Sequence, residues 1–514
     1  MTAVAADDLD AKVWANGEKA DAAAWLAVAA GTIGALMATL DTSIVNSSLP
    51  TIQGEIGASG SEGTWISTAY LVAEIIMIPL AGWLERIFGL RNFLLIATVC
   101  FTACSMWCGT SQDLTHMVIG RIGQGFFGGA MIPTALTIVS TRLPPQQQPV
   151  GIALFGMTAV LGPVIGPVLG GWLTENVSWH YAFFLNLPIG VGLVTLLFAG
   201  LPGRKTEWQE FFEADVLGIA GLALGLGGLT VVLEEGQRER WFESAMIRDL
   251  SLVAAAGIAM LIAGQFVAKR PVIQLKILLQ RAFGSVFLMS LMIGAALYGI
   301  LYIIPQFLAS VAGYNSEQSG LIAAISGVPT IMLLAVFPIL VRAIDLRLAI
   351  AVGLGLYGMS CMMDAFMTPD AAGPQFYASQ IVRGVAQFFS MLFLNQAATS
   401  SVARNLVEDA SGLFNAARNL GGSFGLAVVS TLQDQRMTLH VARLSESMPA
   451  NSIAVQAAAQ TEGLQQINAT VMGQALVMTY SDLYWVFGLA LFAMIPLVFM
   501  LKPLPKDAEV SLGG

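Results

Sequence analysis

Residues 150–173 read VGIALFGMTAVLGPVIGPVLGGWL, an apolar run without a charged side chain. About 20 apolar residues in a helix are enough to cross the hydrocarbon core of a bilayer. Runs of similar length and composition recur from Trp25 to Met500. The sequence therefore predicts a polytopic, all-helical membrane protein.

The composition supports the same fold class. The chain is 56% apolar and 11% charged, with a mean hydropathy of +0.72, whereas soluble domains carry about 25% charged residues. Short segments of alternating polarity, typical of transmembrane barrels, are absent from the sequence. The net charge of −9 and the lack of a polybasic patch also argue against nucleic acid as a partner.

The apolar runs predict fourteen transmembrane helices, arranged as six, two and six. Two six-helix halves are typical of transporters built from repeats, which bind their substrate between the halves. The predicted division of the chain is an N-terminal tail (1–24), a first six-helix bundle (25–200), a linker with two inserted helices (201–282), a second six-helix bundle (283–501) that includes a long loop (433–479), and a C-terminal tail (502–514). The long loop is either a functional element or a tolerated surface excursion.

The positive charges predict the orientation, because cytoplasmic loops retain Lys and Arg. With the N-terminus inside, the cytoplasmic side receives sixteen of the 24 basic residues and the opposite side five, while three lie within helices. We therefore expect both termini in the cytoplasm. The membrane that we expect is the bacterial inner membrane. The three basic residues within helices are Arg121, Arg383 and Arg418.

Three charged residues within apolar helices are candidates for proton coupling. Asp41 and Glu74 place carboxyl groups at hydrocarbon depth, where ionisable residues are costly and usually functional. Loss of hydration favours the neutral form of a carboxyl group, so such a group can accept and release a proton. Arg121 would supply a fixed positive charge beside a titrating carboxylate. The alternatives are helix packing for Asp41, an interhelical hydrogen bond for Glu74 and a structural ion pair for Arg121.

Other polar residues in the helices are candidates for a substrate pathway. Aromatic and amide groups in largely apolar walls suit large amphipathic ligands, although hydrogen bonding between helices is an equal alternative. These candidates are Asn46, Gln124, Tyr298, Tyr302, Asn395, Gln396, Asn415 and Arg418. Glu234, Glu235 and Asp364 stand near the ends of their helices, so we expect them at the membrane interface.

The fifth helix carries closely spaced glycines and prolines. Small residues at every fourth position allow helices to approach closely, and proline permits bending within a membrane helix. We expect a hinge at the interface of the two halves, formed by Gly162, Pro163, Gly166, Pro167, Gly170 and Gly171.

No cofactor or metal site is predicted. Cys100, Cys104 and Cys108 share one helical face but lie in an apolar helix without a nearby His, so packing is the better interpretation. The chain contains no Gly-Lys dipeptide and therefore no phosphate-binding loop of the Walker type.

Four of these strings together resemble the major facilitator superfamily, and in particular its fourteen-span drug:proton antiporters of the EmrB/QacA type. Residues 40–50 (LDTSIVNSSLP) are similar to the first-helix motif, and residues 121–129 (RIGQGFFGG) to the fourth-helix arginine motif. Residues 162–171 (GPVIGPVLGG) are similar to the antiporter motif. Residues 179–190 (WHYAFFLNLPIG) are similar to the segment that leads into the sixth helix.

The resemblance implies a proton-driven multidrug efflux transporter that exports hydrophobic or amphipathic compounds by alternating access. It implies proton coupling at Asp41 and Arg121, and a periplasmic adaptor and outer-membrane channel as partners in a tripartite pump. One alternative function is a proton-coupled or facilitative importer of a small nutrient. A membrane-embedded enzyme or scaffold subunit is disfavoured, because the buried charges are scattered over both halves rather than gathered at one depth.

Overall fold

The computed structural model describes residues 19–208, 214–269, 271–403, 406–447 and 464–501. Most of the predicted N-terminal tail (1–18), the C-terminal tail (502–514) and the middle of the long loop (448–463) lie outside the described residues. Within the described part the chain is helical throughout, without a strand. The predicted all-helical fold class is confirmed.

Among the described residues, the first bundle and the inserted pair contain eight long helices. They are α1 (Ala22–Glu55), α2 (Trp65–Phe88), α3 (Leu90–Gly109), α4 (Leu114–Arg142), α5 (Gln148–Asn176), α6 (Asn186–Gly200, preceded by the short helix His180–Phe184), α7 (Val216–Glu235) and α8 (Ala245–Val267).

The second bundle contains six further spans, two of which are interrupted. They are α9 (Arg281–Ser310), α10 (the segments Ser316–Ala324, Gly327–Leu334 and Phe337–Ala343), α11 (Leu346–Asp364), α12 (Tyr377–Gln387, the π-helical turn Phe388–Leu392 and Phe393–Ser400), α13 (Val407–Glu446) and α14 (Leu464–Met494).

The number of spans is consistent with the fourteen predicted. Among the described residues, eleven helices are individually long and apolar enough to cross a membrane, and the bent pair in α10 provides a twelfth. The remaining two are α12 and α13, which contain more polar residues. The pair in α10 is bent by 69°, and Pro338 is the second residue of its last segment. Proline lacks the N–H group that would continue the helical hydrogen bonds.

Hydrogen bonds and ion pairs between helix ends define two opposite faces of the bundle. The basic face carries Arg342, which donates to the Gln146 carbonyl at 2.6 Å, and Arg347, which donates to the Leu501 carbonyl. The long-loop face carries the ends of α13 and α14, where His440 lies 2.9 Å from Asp482.

The helix α13 is longer than a membrane crossing requires. At about 1.5 Å per residue, the 40 residues of α13 span about 60 Å, twice the hydrocarbon thickness of about 30 Å. Asp482 joins α14 to α13 through His440 and through Arg436, at 3.6 Å. The described ends of the long loop thus form a helical hairpin.

Close packing between helices depends on glycine. A Cβ atom on Gly125 would lie 2.2 Å from the carbonyl oxygen of Tyr70, and one on Gly129 would lie 2.7 Å from that of Glu74. These contacts bring α4 directly against α2. Similar glycines join α13 to α9, where a Cβ on Gly425 would lie 2.3 Å from the carbonyl oxygen of Ala295.

The inserted helices α7 and α8 pack against each other through Gly221 and Gly257, whose Cβ positions fall within 2.4 Å of backbone atoms of the opposite helix. On its other side α7 contacts both α2 and α13. The inserted pair therefore lies along the seam between the two six-helix bundles.

We expect Gly125→Ala to destabilise the protein by about 1–3 kcal/mol, the usual cost of overpacking. The new methyl group would meet the backbone carbonyl of Tyr70. A backbone atom cannot move aside by a change of side-chain rotamer. Thermal unfolding in detergent, followed by size-exclusion chromatography, measures the effect. Gly192→Ala in α6 is the matched control, because no atom lies within 4 Å of that Cβ position. Equal melting temperatures for the two variants would contradict the packing described here.

Candidate functional site: a buried charge network

Asp41 lies in the middle of α1 and is 1% exposed. Its carboxylate Oδ2 accepts a hydrogen bond from Nη1 of Arg121 at 2.6 Å. Arg121, on α4, is completely buried. The structure therefore brings two of the three predicted coupling residues into a direct ion pair, with both charges removed from solvent.

Gln124 completes the contact from α4. It lies three residues after Arg121, and residues at this spacing share one helical face. Gln124 Nε2 donates to Asp41 Oδ1 at 3.0 Å, while its Oε1 accepts from Arg121 Nη1, also at 3.0 Å. The amide thus bridges the two charged groups and fixes their relative orientation.

Asn186 and Ser105 belong to the same network, although sequence reasoning did not select them. Asn186, at the start of α6, donates to Asp41 Oδ1 at 2.7 Å and to the Ser105 hydroxyl at 2.8 Å. Ser105 in turn donates to the Phe183 carbonyl. A signal was present in the sequence, because a lone amide in the apolar string FFLNLP requires a buried partner.

The guanidinium of Arg121 is compensated on several sides. Nε donates to the Ile66 carbonyl at 3.2 Å, and Cζ lies 4.2 Å from the centre of the Tyr70 ring. Such cation–π contacts stabilise a desolvated cation by about 2 kcal/mol. Nη2 has no hydrogen-bond partner among the described residues. The two N–H groups of Nη2 are therefore free to form new hydrogen bonds when the network rearranges.

Glu74, on α2, is 6% exposed and forms neither a hydrogen bond nor a close ion pair with the described residues. Its charge interacts with Arg418 of the second bundle and with Arg121. Gly129 allows α4 to contact the backbone of Glu74, and α2 also contacts α13 of the second bundle. Glu74 is thus a buried acid whose electrostatic partners lie on both sides of the seam.

Several polar side chains of the second bundle leave buried atoms without a partner among the described residues. Asn395 and Asn415 each donate to a carbonyl four residues earlier in their own helix, at 3.0 and 2.9 Å. Both Oδ1 atoms, Gln396 Oε1 and Arg418 Nη1 have no partner among the described residues. Arg418 is 5% exposed, so its unpaired N–H groups are available to a ligand or to a conformational change.

Three predicted pathway residues in the helices do not join the network. Asn46 is exposed, and its side chain accepts a hydrogen bond from Ser67 at 2.7 Å. Tyr302 is 41% exposed. Tyr298, one turn earlier, is only partly exposed, and its ring packs against Gly422.

The glycines of α5 face a matching row on α1. Cβ atoms on Gly162, Gly166 and Gly170 would meet Thr39, Ser43 and Ser47, at 2.8, 2.2 and 2.3 Å respectively. Both rows repeat every four residues, so they run side by side along the two helices. Gly171 has open space around its Cβ position, and Pro163 and Pro167 are half-buried.

The α5 helix also contacts the second bundle, where a Cβ on Gly156 would lie 3.0 Å from Leu392. The helix therefore lies between α1, which carries Asp41, and the other half of the protein. A hinge in α5 would change both contacts together.

The acids expected at the interface are more buried than the sequence indicated. Asp364 is 4% exposed and pairs with Arg383, which is 2% exposed. Glu235 is 2% exposed. Arg383 lies in the fourth helix of its bundle, as Arg121 does. Its partner Asp364 lies in the third helix of the second bundle, whereas Asp41 lies in the first helix of the first bundle.

Contacts on the basic face join the two bundles. Arg86 Nη1 lies 3.5 Å from both Glu408 and Asp409. Ser411 donates to the Pro133 carbonyl at 3.0 Å. Together with the contact of Arg342 described above, these interactions close the basic face between the halves.

Comparison with known proteins agrees with the fold and the motifs. Residues 31–426 match the Major Facilitator Superfamily. The chain is 32% identical over 464 residues to the Colistin resistance protein EmrB of Acinetobacter baumannii, covering 90% of this chain and 91% of that protein. It is 31% identical over 496 residues to the Multidrug export protein EmrB of Escherichia coli K12, covering 94% and 96%.

Solved structures show the same architecture at low sequence identity. The proton:xylose symporter XylE has a TM-score of 0.60 at 15% identity, covering 93% of this chain and 95% of XylE. The human organic anion transporter MFSD10 has a TM-score of 0.59 at 15% identity, covering 91% and 99%.

The fold and the family match define a membrane transporter rather than an enzyme. The chain belongs to the major facilitator superfamily and, within it, to the EmrB-type transporters that its motifs indicated.

Removal of one member of the buried pair should destabilise the protein by about 3–5 kcal/mol, because the other charge is then buried without compensation. We therefore expect Asp41→Asn and Arg121→Gln to melt well below the wild type. The double variant should recover much of the loss, because it contains no unpaired charge. Thermal unfolding of all four proteins in the same detergent gives the coupling energy. Strictly additive losses would contradict the ion pair.

Proposed function

We propose that this protein exports hydrophobic or amphipathic compounds from the bacterial cytoplasm in exchange for protons. The observation that carries the proposal is the buried network of Asp41 and Arg121, with Glu74 nearby at the seam of the halves. Buried ionisable groups in membrane helices mark proton and substrate pathways. The curated relatives are named for multidrug export or colistin resistance, which favours export over nutrient import.

The proposed orientation has the basic face in the cytoplasm of a bacterial inner membrane, with both termini inside. The excess of Lys and Arg in the loops of this face supports it. The protonmotive force then acts from the long-loop face toward the basic face. Each net charge moved contributes about 2.3 kcal/mol per 100 mV, so the proposal requires no other energy source and no cofactor.

Protonation of Asp41 would be the coupling step. A neutral Asp41 no longer compensates Arg121, whose Nη1 bonds to both Asp41 and Gln124. The arginine would then interact more strongly with Glu74, with which it already has an electrostatic interaction. Proton entry on α1 is thereby transmitted to a carboxyl group that faces the second bundle.

Alternating access would follow as a rocking of the two bundles. In this structure the basic face is closed by Arg86 with Glu408 and by Arg342 with Gln146. These contacts must separate before a compound can enter from the cytoplasm. The α5 helix, which contacts α1 and the second bundle, is the proposed hinge, with Pro163 and Pro167 permitting the bend.

The hairpin formed by the ends of α13 and α14 is the proposed docking site for a periplasmic adaptor of a tripartite pump, which would lead to an outer-membrane channel. Its length beyond the bilayer supports this role, since an element of this size is not needed to cross the membrane. The ion pairs of Asp482 with Arg436 and His440 hold the hairpin together at its base.

Asp41→Asn should abolish proton-driven transport. Inside-out vesicles with an acidified lumen present the proton gradient in the export direction, and accumulation of a fluorescent dye measures it. We expect wild-type vesicles to accumulate dye and Asp41→Asn vesicles to remain at the level of vesicles treated with an uncoupler. Asp370→Asn is the matched control, because Asp370 is exposed outside the spans. Identical gradient-driven uptake by wild type and Asp41→Asn would show that Asp41 does not couple transport.

Replacement of residues 441–474 by a short Gly-Ser linker should separate membrane transport from adaptor function. The replacement leaves the buried network and the contact between His440 and Asp482 intact. We expect dye uptake into inside-out vesicles to be unchanged, while the resistance of intact Gram-negative cells that supply an adaptor falls. Unchanged resistance would remove the adaptor from the proposal, and a loss of vesicle transport would show that the hairpin serves transport itself.

A further inference from the structure

A cavity on the basic face lies between three helical segments of the second bundle. Its volume is about 600 Å³, within the range of about 300–1,000 Å³ that is usual for ligand sites. It is lined by the start of α9 (280–282), by Arg347 of α11 and by residues 499–501. Two of these seven described residues are arginines, and none of the seven is acidic. The proposed transport mechanism does not involve this cavity.

Packing between helices holds the walls of the cavity in place. A 3₁₀ turn, Ile495–Met500, follows α14 and contacts both α9 and α11. Arg347 Nε donates to the Leu501 carbonyl at 2.8 Å, which joins the start of α11 to the end of this turn. Ala282 of α9 is buried. The cavity is therefore preformed between packed segments.

The two arginines give the cavity a net positive charge. The carbonyl of Leu501 accepts a hydrogen bond from Arg347 but carries no net charge, so it does not neutralise the guanidinium. Arg281 is exposed and forms no hydrogen bond or ion pair with the described residues. Asp345, the acid nearest to Arg347 in the sequence, accepts from the backbone N–H of Arg347 at 2.8 Å and is not part of the lining.

Exposed apolar side chains border the arginines. Phe499, in the wall of the cavity, is 80% exposed, and Leu279, directly before the α9 wall, is also largely exposed. Exposed apolar patches with a polar rim mark sites that bind a membrane or another apolar partner. In a membrane protein such side chains are positioned to contact acyl chains. The cavity and its border thus combine a cationic site with an apolar surface.

This combination selects one class of ligand. A soluble anion would use the arginines but not the apolar border, and a lipid without net charge would use the border but leave the positive charges unmatched. The guanidinium fork of arginine matches the oxygens of a phosphate group. Basic pockets between membrane helices on the cytoplasmic side bind anionic lipid headgroups.

We infer that this cavity binds the phosphate of an anionic phospholipid, with Arg281 as the residue that selects for negative charge. Arg347 supplies the second positive charge, and the acyl chains lie against Phe499 and Leu279. The inference is independent of the proposed export function, because it concerns lipid binding by the purified protein and requires no transport.

The test is site-resolved photolabelling of the purified full chain in detergent. The probe is phosphatidylglycerol with a diazirine on its headgroup, and mass spectrometry measures the label on the peptide that contains residues 499–501. We expect Arg281→Gln to raise the probe concentration for half-maximal labelling by about fivefold, the usual contribution of one basic side chain near an anionic headgroup. Arg281→Lys should stay within about twofold of wild type, because it retains the charge.

Arg248→Gln is the matched control, since it removes an exposed arginine near the start of another membrane helix, α8; labelling of the same peptide should not change. Unlabelled phosphatidylglycerol should compete with the probe, whereas phosphatidylcholine with the same acyl chains should not. Thermal unfolding verifies that each variant is folded.

Three results would overturn the inference. The first is the absence of label on this peptide in the wild type. The second is equal labelling of Arg281→Gln and Arg248→Gln, or equal competition by phosphatidylcholine. The third is displacement of the probe by millimolar inorganic phosphate, which would show a site for soluble anions instead of a lipid site. The export function would stand in each case, because none of these measurements involves transport.

Discussion

The pairing of Asp41 with Arg121 inside the first bundle is the interaction on which the rest of the structure depends. Two full charges at hydrocarbon depth are tolerated only when each compensates the other and the remaining polar atoms are hydrogen-bonded. Gln124 and Asn186 provide those bonds, and Tyr70 covers the guanidinium. The pair therefore determines how α1, α2, α4 and α6 meet. Any change in the charge of one member acts on all four helices.

The glycine contacts couple the Asp41–Arg121 pair to movements of the helices. Gly125 and Gly129 press α4 against α2, while Gly166 and Gly170 press α5 against α1. Helices in backbone contact move as units, because a small displacement meets main-chain atoms rather than adjustable side chains. The inserted helix α7 adds a connection of the same kind between α2 and α13. Charge and packing together connect the buried ion pair of Asp41 and Arg121 with the seam.

Much of this architecture followed from the sequence, and the exceptions have physical causes. Apolar length and the cost of buried charge were sufficient to predict the all-helical fold and to select Asp41 and Arg121. Gln124 was selected for a substrate pathway, whereas the structure shows that its side chain bridges Asp41 and Arg121. Asn186 was not selected, because its partner lies 145 residues away and helix periodicity contains no information on tertiary contacts.

The acids near helix ends show a second limit of sequence reasoning. Position in an apolar run suggests an interfacial location for Glu235 and Asp364, but packing decides their exposure. Arg383 pairs with Asp364, and Thr68 of α2 donates a hydrogen bond to Glu235. The break in α10 and the length of α13 were likewise not evident, because proline tolerance and helix extension depend on neighbouring helices.

Proton release on substrate binding tests the central claim most directly, namely that a buried carboxyl group exchanges a proton for a bound solute. The purified protein is placed in weakly buffered detergent solution with a pH indicator, and a compound shown to be transported in vesicles is added. The account predicts that the wild type releases protons in proportion to the amount of compound bound. It predicts that Asp41→Asn releases fewer protons per molecule of bound compound. Binding without proton release by the wild type, over the whole pH range in which it transports, would contradict the account.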